Sequence, residues 1–582
     1  MSWQTTDTSG GAAAHEAAGG WVLWLLGAAA GVGVLLWVWA GVAGAVFGAG
    51  WPHLSIAQLS RVVTRVWSHL GDPRRAYPPA VQQGLPGPVG FYAALVPVLA
   101  AATGVCWAVM ALRTHARELG GDGGARMATG RELRALDGRR GPVEGRLALG
   151  YQRRRRLVRC EARHSAVGFG PTQSWKSTGL EIPNILEWGG CVIASSAKVD
   201  LIRDTIRRRR QVGSVWVFDP FGLSGERSHT WSPTASCDTW DSAKRQARRL
   251  AWAAQLDSRV DGGGEAKFWD ALARQYLAPL LLAANRARRD VRVLLRWTAS
   301  DREDAVRQAL RIDPETGGER DLHELSLDCQ EALEALRAFS TQPDKTQRSV
   351  RTTARTLLEV YEYHAVQRSA EGSEITSDEI LDGGSTLYLL ADPHQAELGR
   401  PLFVALLGEL VDAAYERANR AGGRLPFPLL LALDEAGNAA PLPNLAQVAS
   451  TCSDLGLVLL TMFHDLPQAR QTYGAEQAGT LVNNHRAKLL LPGMTDRDTL
   501  RYFAELLGQQ TVKVTSTTRG HGGESTSEQS QRVPLRAVDE LRQLPDEHAL
   551  VVYGRLPPAV IRLRLSFKDR RLRRLAAVRE RA

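Results

Sequence analysis

Apolar and polar positions alternate along this chain in three distinct ways, and each predicts a different kind of structure. Trp21 to Phe47 runs 27 residues without a charge, and Phe91 to Leu112 a further 22, with Pro97 as an expected kink. At about 1.5 Å rise per residue the first run makes about 40 Å of helix, enough to cross a roughly 30 Å hydrocarbon core with tilt. A signal peptide does not fit it, because no Lys or Arg precedes the run and its length exceeds an h-region. Two transmembrane helices are expected, over about 21–47 and 91–112, so that residues 1–112 form a membrane anchor. Between them, Leu54, Leu59, Val62, Val66 and Leu70 predict a short amphipathic helix against the bilayer or a partner.

Beyond residue 163 short apolar runs alternate with helical periodicity. A strand over Ala166–Phe169 leads through a glycine loop into a helix from Ser177 to about Glu187. Strand Cys191–Ser195, helix Leu201–Arg210 and strand Ser214–Phe218 follow. Residues 239–365 carry almost no strand signal. Apolar residues recur there at helical spacing, as at Phe268, Leu272, Leu277 and Leu281, which predicts an inserted all-helical domain. Strands resume at Ser385–Leu390, Leu429–Leu433, Gly456–Met462, Arg486–Leu491 and Ala549–Tyr553. Short buried strands interleaved with helices predict an α/β domain, built from 163–238 and 366–560, with a parallel sheet covered on both faces. The polar stretch 514–532 reads as an exposed loop or hairpin tip.

Charge refines this division. Across 582 residues, 72 Lys and Arg oppose 62 Asp and Glu, a net of +10. Residues 113–163, with the run Arg153–Arg156, carry +8 and residues 562–582 carry +7, so the rest is net negative. The excess is a juxtamembrane segment (113–162) and a C-terminal tail (561–582), not a coat over the whole body. Anionic lipid, nucleic acid and the orientation of the membrane helices would each account for such a collar. Six cysteines without a C-x-x-C pair exclude a disulfide scaffold and a Cys-based zinc module, and they fit a reducing compartment.

Candidate chemistry lies at strand ends. Gly170, Pro171, Thr172, Gln173, Ser174, Trp175, Lys176 and Ser177, followed by Thr178, match G-x-x-x-x-G-K-[ST] at every fixed position except Trp175, where glycine is expected. In such a loop the backbone N–H groups at a helix start cradle phosphates, the Lys reaches the β and γ phosphates, and the Ser hydroxyl ligates Mg²⁺. The apolar strand Leu429–Leu433 ends in Asp434-Glu435, where one carboxylate can hold a metal ion's shell and the next can polarise water. A strand later, His464 stands where a polar residue would sense a γ-phosphate; a strand-end surface histidine is the plainer reading. Ligands of open α/β sheets bind at such carboxyl ends, so ATP with Mg²⁺ is the expected ligand.

Taken in order, the two apolar runs, GPTQSWKSTGLEIPNIL, SSAKVDL, VWVFDPFG, the helical insertion, LLLALDEAGN and NNHRAKLLLPG resemble the type IV secretion coupling proteins of the TraG/TraD class, over roughly 20–560. The resemblance implies a RecA-like P-loop ATPase, hexameric and anchored in the inner membrane with its bulk cytoplasmic. Such a motor passes DNA with its relaxase or relaxosome proteins to the channel proteins of the secretion system. It implies phosphate and Mg²⁺ roles for Lys176 and Ser177, metal binding for Asp434 and water activation for Glu435; His464 is the further catalytic candidate from its place at the strand end. Trp175 replaces the family's glycine and His464 its usual Gln, and both departures bear on hydrolysis. No Arg or Lys occurs between Ala436 and Phe463, which leaves Arg470, Arg486, Arg497 and Arg501 as candidates for an arginine finger. A nucleotide-binding receptor that does not hydrolyse, and a DNA pump of the FtsK type, are the competing functions. The preference for Arg over Lys fits a high-GC, actinobacterium-like source.

Overall fold

Along Leu429–Leu433 the side chains alternate between two apolar layers: Leu429, Leu431 and Leu433 enter one, Leu430 and Ala432 the other. Cys191 and Ile193 likewise oppose Val192 and Ala194, and Leu457 and Leu459 oppose Val458 and Leu460. A strand buried on both faces must be apolar at every position, and these are. The computed structural model describes residues 33–577 except 102, 105–106, 108–123, 139–143, 153–155, 259–263, 300–301, 314–315, 317, 392–395, 439 and 521–522. Its two compact units divide at Gly123.

The larger unit is built on an eleven-stranded sheet of order β2-β1-β13-β12-β9-β3-β8-β7-β4-β6-β5. Seven strands run parallel: β3 (Ala166–Phe169), β4 (Cys191–Ser196), β5 (Val215–Phe218), β6 (Thr386–Leu390), β7 (Leu429–Leu433), β8 (Leu457–Phe463) and β9 (Ala487–Leu490). The expected all-parallel sheet needs correction at one edge. There β12 (His548–Tyr553), β13 (Ala559–Arg562), β1 (Ala148–Gln152) and β2 (Arg156–Arg159) continue it antiparallel. Charge had hidden β1, β2 and β13, which fall in segments read as basic collar and tail.

Those edge residues are tied down by buried charge. Glu187 lies between the guanidinium groups of Arg159 and Arg564, all three buried, and Arg564 also donates to Asp569 at 2.9 Å. Leu572, from the helix Arg570–Ala576, packs on Ile182 and Leu186. Residues 563–577 are therefore laid against the helix that follows the glycine loop.

From Trp240 to Ser369 the described chain is helical apart from loops and an isolated bridge between Ile312 and Glu319. Leu277 and Leu281 are buried on the long helix Gly264–Arg286, and Tyr276 packs on Phe339 with ring centroids 4.2 Å apart. Phe268, expected on the same buried stripe, is exposed instead. The stretch 514–532 belongs to a hairpin of two twelve-residue strands, β10 (Gln509–Gly520) and β11 (Gly523–Pro534), paired only with each other.

In the smaller unit residues 33–47 are helical, and a capped helix at Ile56–Arg65 covers part of the expected amphipathic stripe, with Val62 buried while Leu54, Val66 and Leu70 lie outside it. Trp39 Nε1 donates to Phe91 O at 2.7 Å and Tyr77 Oη to Leu36 O at 2.9 Å. The expected spans fall partly outside the described residues. Among those described, no helix is long and apolar enough to cross a membrane.

Candidate nucleotide site

Three neighbouring parallel strands bring the candidate residues together. β8 lies between β3 and β7, with Phe169 opposite Phe463 and Leu433 opposite Thr461. The glycine loop leaves β3, Asp434-Glu435 leaves β7 and His464 leaves β8, all at one end of the sheet.

The loop turns tightly at Gly170. A Cβ there would lie 2.4 Å from Ser174 Oγ and 2.8 Å from Leu491 Cβ, so only glycine fits. Gln173 and Trp175 both have left-handed backbones, φ 65° and 68°. Trp175 thus holds the conformation that the expected glycine adopts freely, at a cost of about 1–2 kcal/mol. Its indole reaches Phe567, with ring centroids 6.0 Å apart. The following turn, Ser177–Glu181, is π-helical before the α-helix Ile182–Glu187, so the single predicted helix is two elements. Within the loop Thr172 is exposed, Pro171 partly exposed, and Ser174 buried with its hydroxyl unpartnered.

Ser177 Oγ donates to Asp434 Oδ2 at 2.8 Å, and Ser196 Oγ lies 3.4 Å from the same oxygen. Lys176 Nζ lies 3.2 Å from His464 Nδ1, and His464 Nε2 lies 3.6 Å from Glu435 Oε1. Lys176, Ser177, Asp434, Glu435 and His464 thus form one connected cluster. Glu435 takes a left-handed φ of 59°, which turns the chain at the end of β7. Arg470, Arg486, Arg497 and Arg501 are all exposed, and Arg470 pairs with Asp498 at 3.4 Å.

Burial sets the electrostatics. Desolvation lowers the Lys176 pKa, while Asp434 and Glu435 oppose the shift. Desolvation raises Asp434, against the pull of Ser177 and Lys176. His464 is lowered by burial and by the Lys176 charge, so its ring favours the neutral form.

Sequence reasoning missed Glu181. It is fully buried, neither carboxylate oxygen has a hydrogen-bond partner, and burial with the Asp434 charge pushes its pKa well up. A lone acid inside the apolar run that follows Ser177 is the signal that marks it. Asp434 Oδ1 is likewise buried without a partner. An orphaned carboxylate oxygen beside a serine hydroxyl is a donor set that fits a hard divalent cation such as Mg²⁺. Among the described residues no group of three His, Cys, Asp or Glu forms a metal cage, and Mg²⁺ bound with a nucleotide needs none.

Comparison with known proteins places the fold and the family. The chain is 24% identical over 401 residues to the conjugal transfer protein TraG of Agrobacterium fabrum, an alignment covering 67% of this chain and 58% of that protein. It is 22% identical over 446 residues to protein VirD4 of Rhizobium rhizogenes, covering 75% and 63%. The chain thus spans about three fifths of the length of several curated relatives it matches, 58–61% for three of the TraG proteins. The unbound bacterial conjugative coupling protein TrwB superposes with a TM-score of 0.52 at 18% identity, covering 76% of this chain and 93% of that one. TrwB in complex with ADP and Mg²⁺ superposes with a TM-score of 0.51 at 20% identity, and both likenesses bear on fold alone. Residues 138–580 match the family described as Type IV secretory system Conjugative DNA transfer, and the chain belongs to that family.

Proposed function

We propose that this chain is the membrane-anchored coupling ATPase of a type IV secretion or conjugation system, recruiting a relaxase–DNA complex and driving its DNA to the secretion channel. The contact of Ser177 with Asp434, 257 residues apart, carries the reading, because it joins the phosphate loop to the acidic strand end as ATP hydrolysis requires. Family membership supplies the biological setting, and the TrwB complexes with ADP and Mg²⁺ and with an ATP analogue support the choice of ligand.

In this reading backbone N–H groups of the loop between Thr172 and Thr178 donate to the phosphates, and Lys176 gives up His464 Nδ1 to pair with the β and γ oxygens. Ser177 and Asp434 hold Mg²⁺, which when bound neutralises phosphate charge. Glu435 orients and polarises the attacking water, and His464, neutral and held between Lys176 and Glu435, senses the γ-phosphate. A site at the end of an open sheet is completed by a neighbour in a ring, most economically a hexamer. The exposed Arg470, Arg486, Arg497 and Arg501 are the residues available to supply an arginine in trans.

The bulk of the protein then lies on the cytoplasmic side of the cell membrane. Exposed Trp37, Phe47, Trp51, Trp67 and Trp107 in the smaller unit support lipid contact, since indoles favour membrane interfaces. The positive charge of the juxtamembrane segment and of the C-terminus suits lipid headgroups or DNA. One observation favours the receptor that binds nucleotide without hydrolysing it: Lys176 is already engaged by His464 beside a strained Trp175. Glu435→Gln separates the two readings. In a motor it retains ATP binding and loses roughly 10²–10⁴-fold in turnover, the range of a general-base contribution. Turnover that is absent in the wild type under saturating ATP and DNA would instead establish the receptor.

A further inference from the structure

The phosphate loop of this chain carries an aromatic side chain of its own, and the C-terminal segment brings a second one to it. Ser566 N–H donates to Thr178 O at 2.9 Å, which fixes Phe567 beside the last residue of the phosphate cradle. Leu563 and Leu565 pack over Gly179, where even a Cβ would come within 3.2 Å of Leu563. Arg564 is locked by Glu187 and Asp569. Phe567 is therefore held from both sides, yet the residue is 48% exposed. One part of that ring meets the half-buried indole of Trp175, and Lys568 Nζ lies 5.8 Å from its centroid.

The anchored segment thus presents a partly exposed aromatic ring at the rim of the phosphate loop, against a second one, Trp175. Its place suggests what covers it. The Ser566–Thr178 bond sets Phe567 at the Thr178 end of residues 170–178, and Trp175 of the same loop meets it, so a ligand whose phosphates fill the loop has both rings at that end. Within the loop itself Trp175 sits between Ser174 and Lys176, so its indole is joined to the cradle by one peptide unit on either side. We infer that Phe567 and Trp175 form the platform on which the base of the bound nucleotide stacks.

This rests on the reading of residues 170–178 as the nucleotide site and adds the recognition of the base. Stacking on a phenyl and an indole reads the π-face that every base shares and no hydrogen-bonding edge. ATP and GTP are therefore expected to bind with similar affinity. Lys568, also paired with Glu547, adds positive charge at the same rim.

The test compares ATP with inorganic tripolyphosphate, which has the phosphates and no base, each titrated with Mg²⁺ against the full-length protein. Phe567→Ala is expected to weaken ATP roughly ten-fold, within the range of one aromatic–base stack, and to leave tripolyphosphate unchanged. Phe567→Leu keeps an apolar side chain of similar size and tests the ring itself; it should weaken ATP alone in the same way, whereas Phe567→Tyr should bind ATP as wild type does. Equal weakening of ATP and tripolyphosphate by both the Ala and Leu variants would mean that Phe567 only holds the loop in place, and would overturn the platform. Unchanged ATP binding in both would overturn it as well. Lys176→Ala is the separate control for the site: it should weaken both ligands. If it weakens neither, the phosphate loop is not the nucleotide site and the failure lies with that reading.

Discussion

Ser177 and Asp434 meet through a 2.8 Å hydrogen bond that spans β8, although the two residues leave different strands 257 positions apart. The other Asp434 oxygen is buried and unpartnered. A hydroxyl and a carboxylate held in this way form a donor set that fits a hard divalent cation.

Asp434→Asn tests that arrangement. The amide oxygen can still accept from Ser177, so folding should survive while the negative charge is lost. Affinity for ATP in the presence of Mg²⁺ should fall roughly ten- to a hundredfold, matching a charged hydrogen bond of about 1.5–3 kcal/mol. Without divalent cations the variant and the wild type should bind alike. An equal loss under both conditions would show that Asp434 does not act through the metal.

Trp175 makes a prediction about backbone strain. At φ 68° a Cβ is disfavoured, and glycine is free of that cost. Trp175→Ala and Trp175→Gly both lose the Phe567 contact, but only the glycine relieves the left-handed strain. The glycine variant should be more stable than the alanine variant by about 1 kcal/mol, measured by denaturant unfolding. Alanine equal to glycine would contradict the left-handed conformation.

Much of this geometry was legible in advance, and the parts that were not have identifiable causes. Leu429–Leu433 is apolar at every position and is followed directly by two acids, so its strand and its place in the site could be read from the sequence alone. β1, β2 and β13 could not. β2 and β13 carry arginines, Arg156, Arg159 and Arg562, whose charge reads as a solvated collar or tail, and β1 is five residues long with a glycine inside it. Nor could local sequence disclose that Arg159 and Arg564, 405 residues apart, are buried on Glu187. Pairing of that kind is a tertiary fact. Glu181 was passed over for a related reason: one acid in a helix reads as exposed, and only the packed strands around it make it buried.

His485 predicts a pH dependence. It is fully buried, and desolvation lowers its pKa to about 4. Its Nδ1 donates to Leu481 O at 2.8 Å, which leaves Nε2 to accept from Thr461 Oγ1 at 3.2 Å, so the neutral ring satisfies both partners. Between pH 6.5 and about 4 the unfolded chain binds a proton that the folded protein refuses. Stability from this residue is therefore full above pH 6.5 and is lost as pH falls to about 4, by roughly 3 kcal/mol. His464 and His164 shift in the same direction, and Glu181 and Glu409, raised by burial, act with the opposite sign. The difference between wild type and His485→Asn isolates the effect. It should shrink as pH drops across that window, and a difference that does not change with pH would contradict it.

Topology can be read by chemical labelling. If two spans cross the membrane, as proposed, they return the chain to its starting side, and single cysteines placed in the 51–88 loop should react with an impermeant thiol reagent from outside the cell. Those placed beyond residue 124 should not. The five native cysteines described here are buried, which keeps their background low. Labelling of the large unit from outside would put the nucleotide site where ATP is absent and would refute the membrane arrangement.

The central claim is that these residues form an ATP-driven, DNA-responsive motor. It is tested most directly by steady-state phosphate release from ATP by the full-length protein in detergent or vesicles, with and without DNA, wild type beside Lys176→Ala. The account predicts turnover that rises on adding DNA in the wild type and is abolished in Lys176→Ala. Turnover that ignores DNA, or that survives the loss of Lys176, would contradict it.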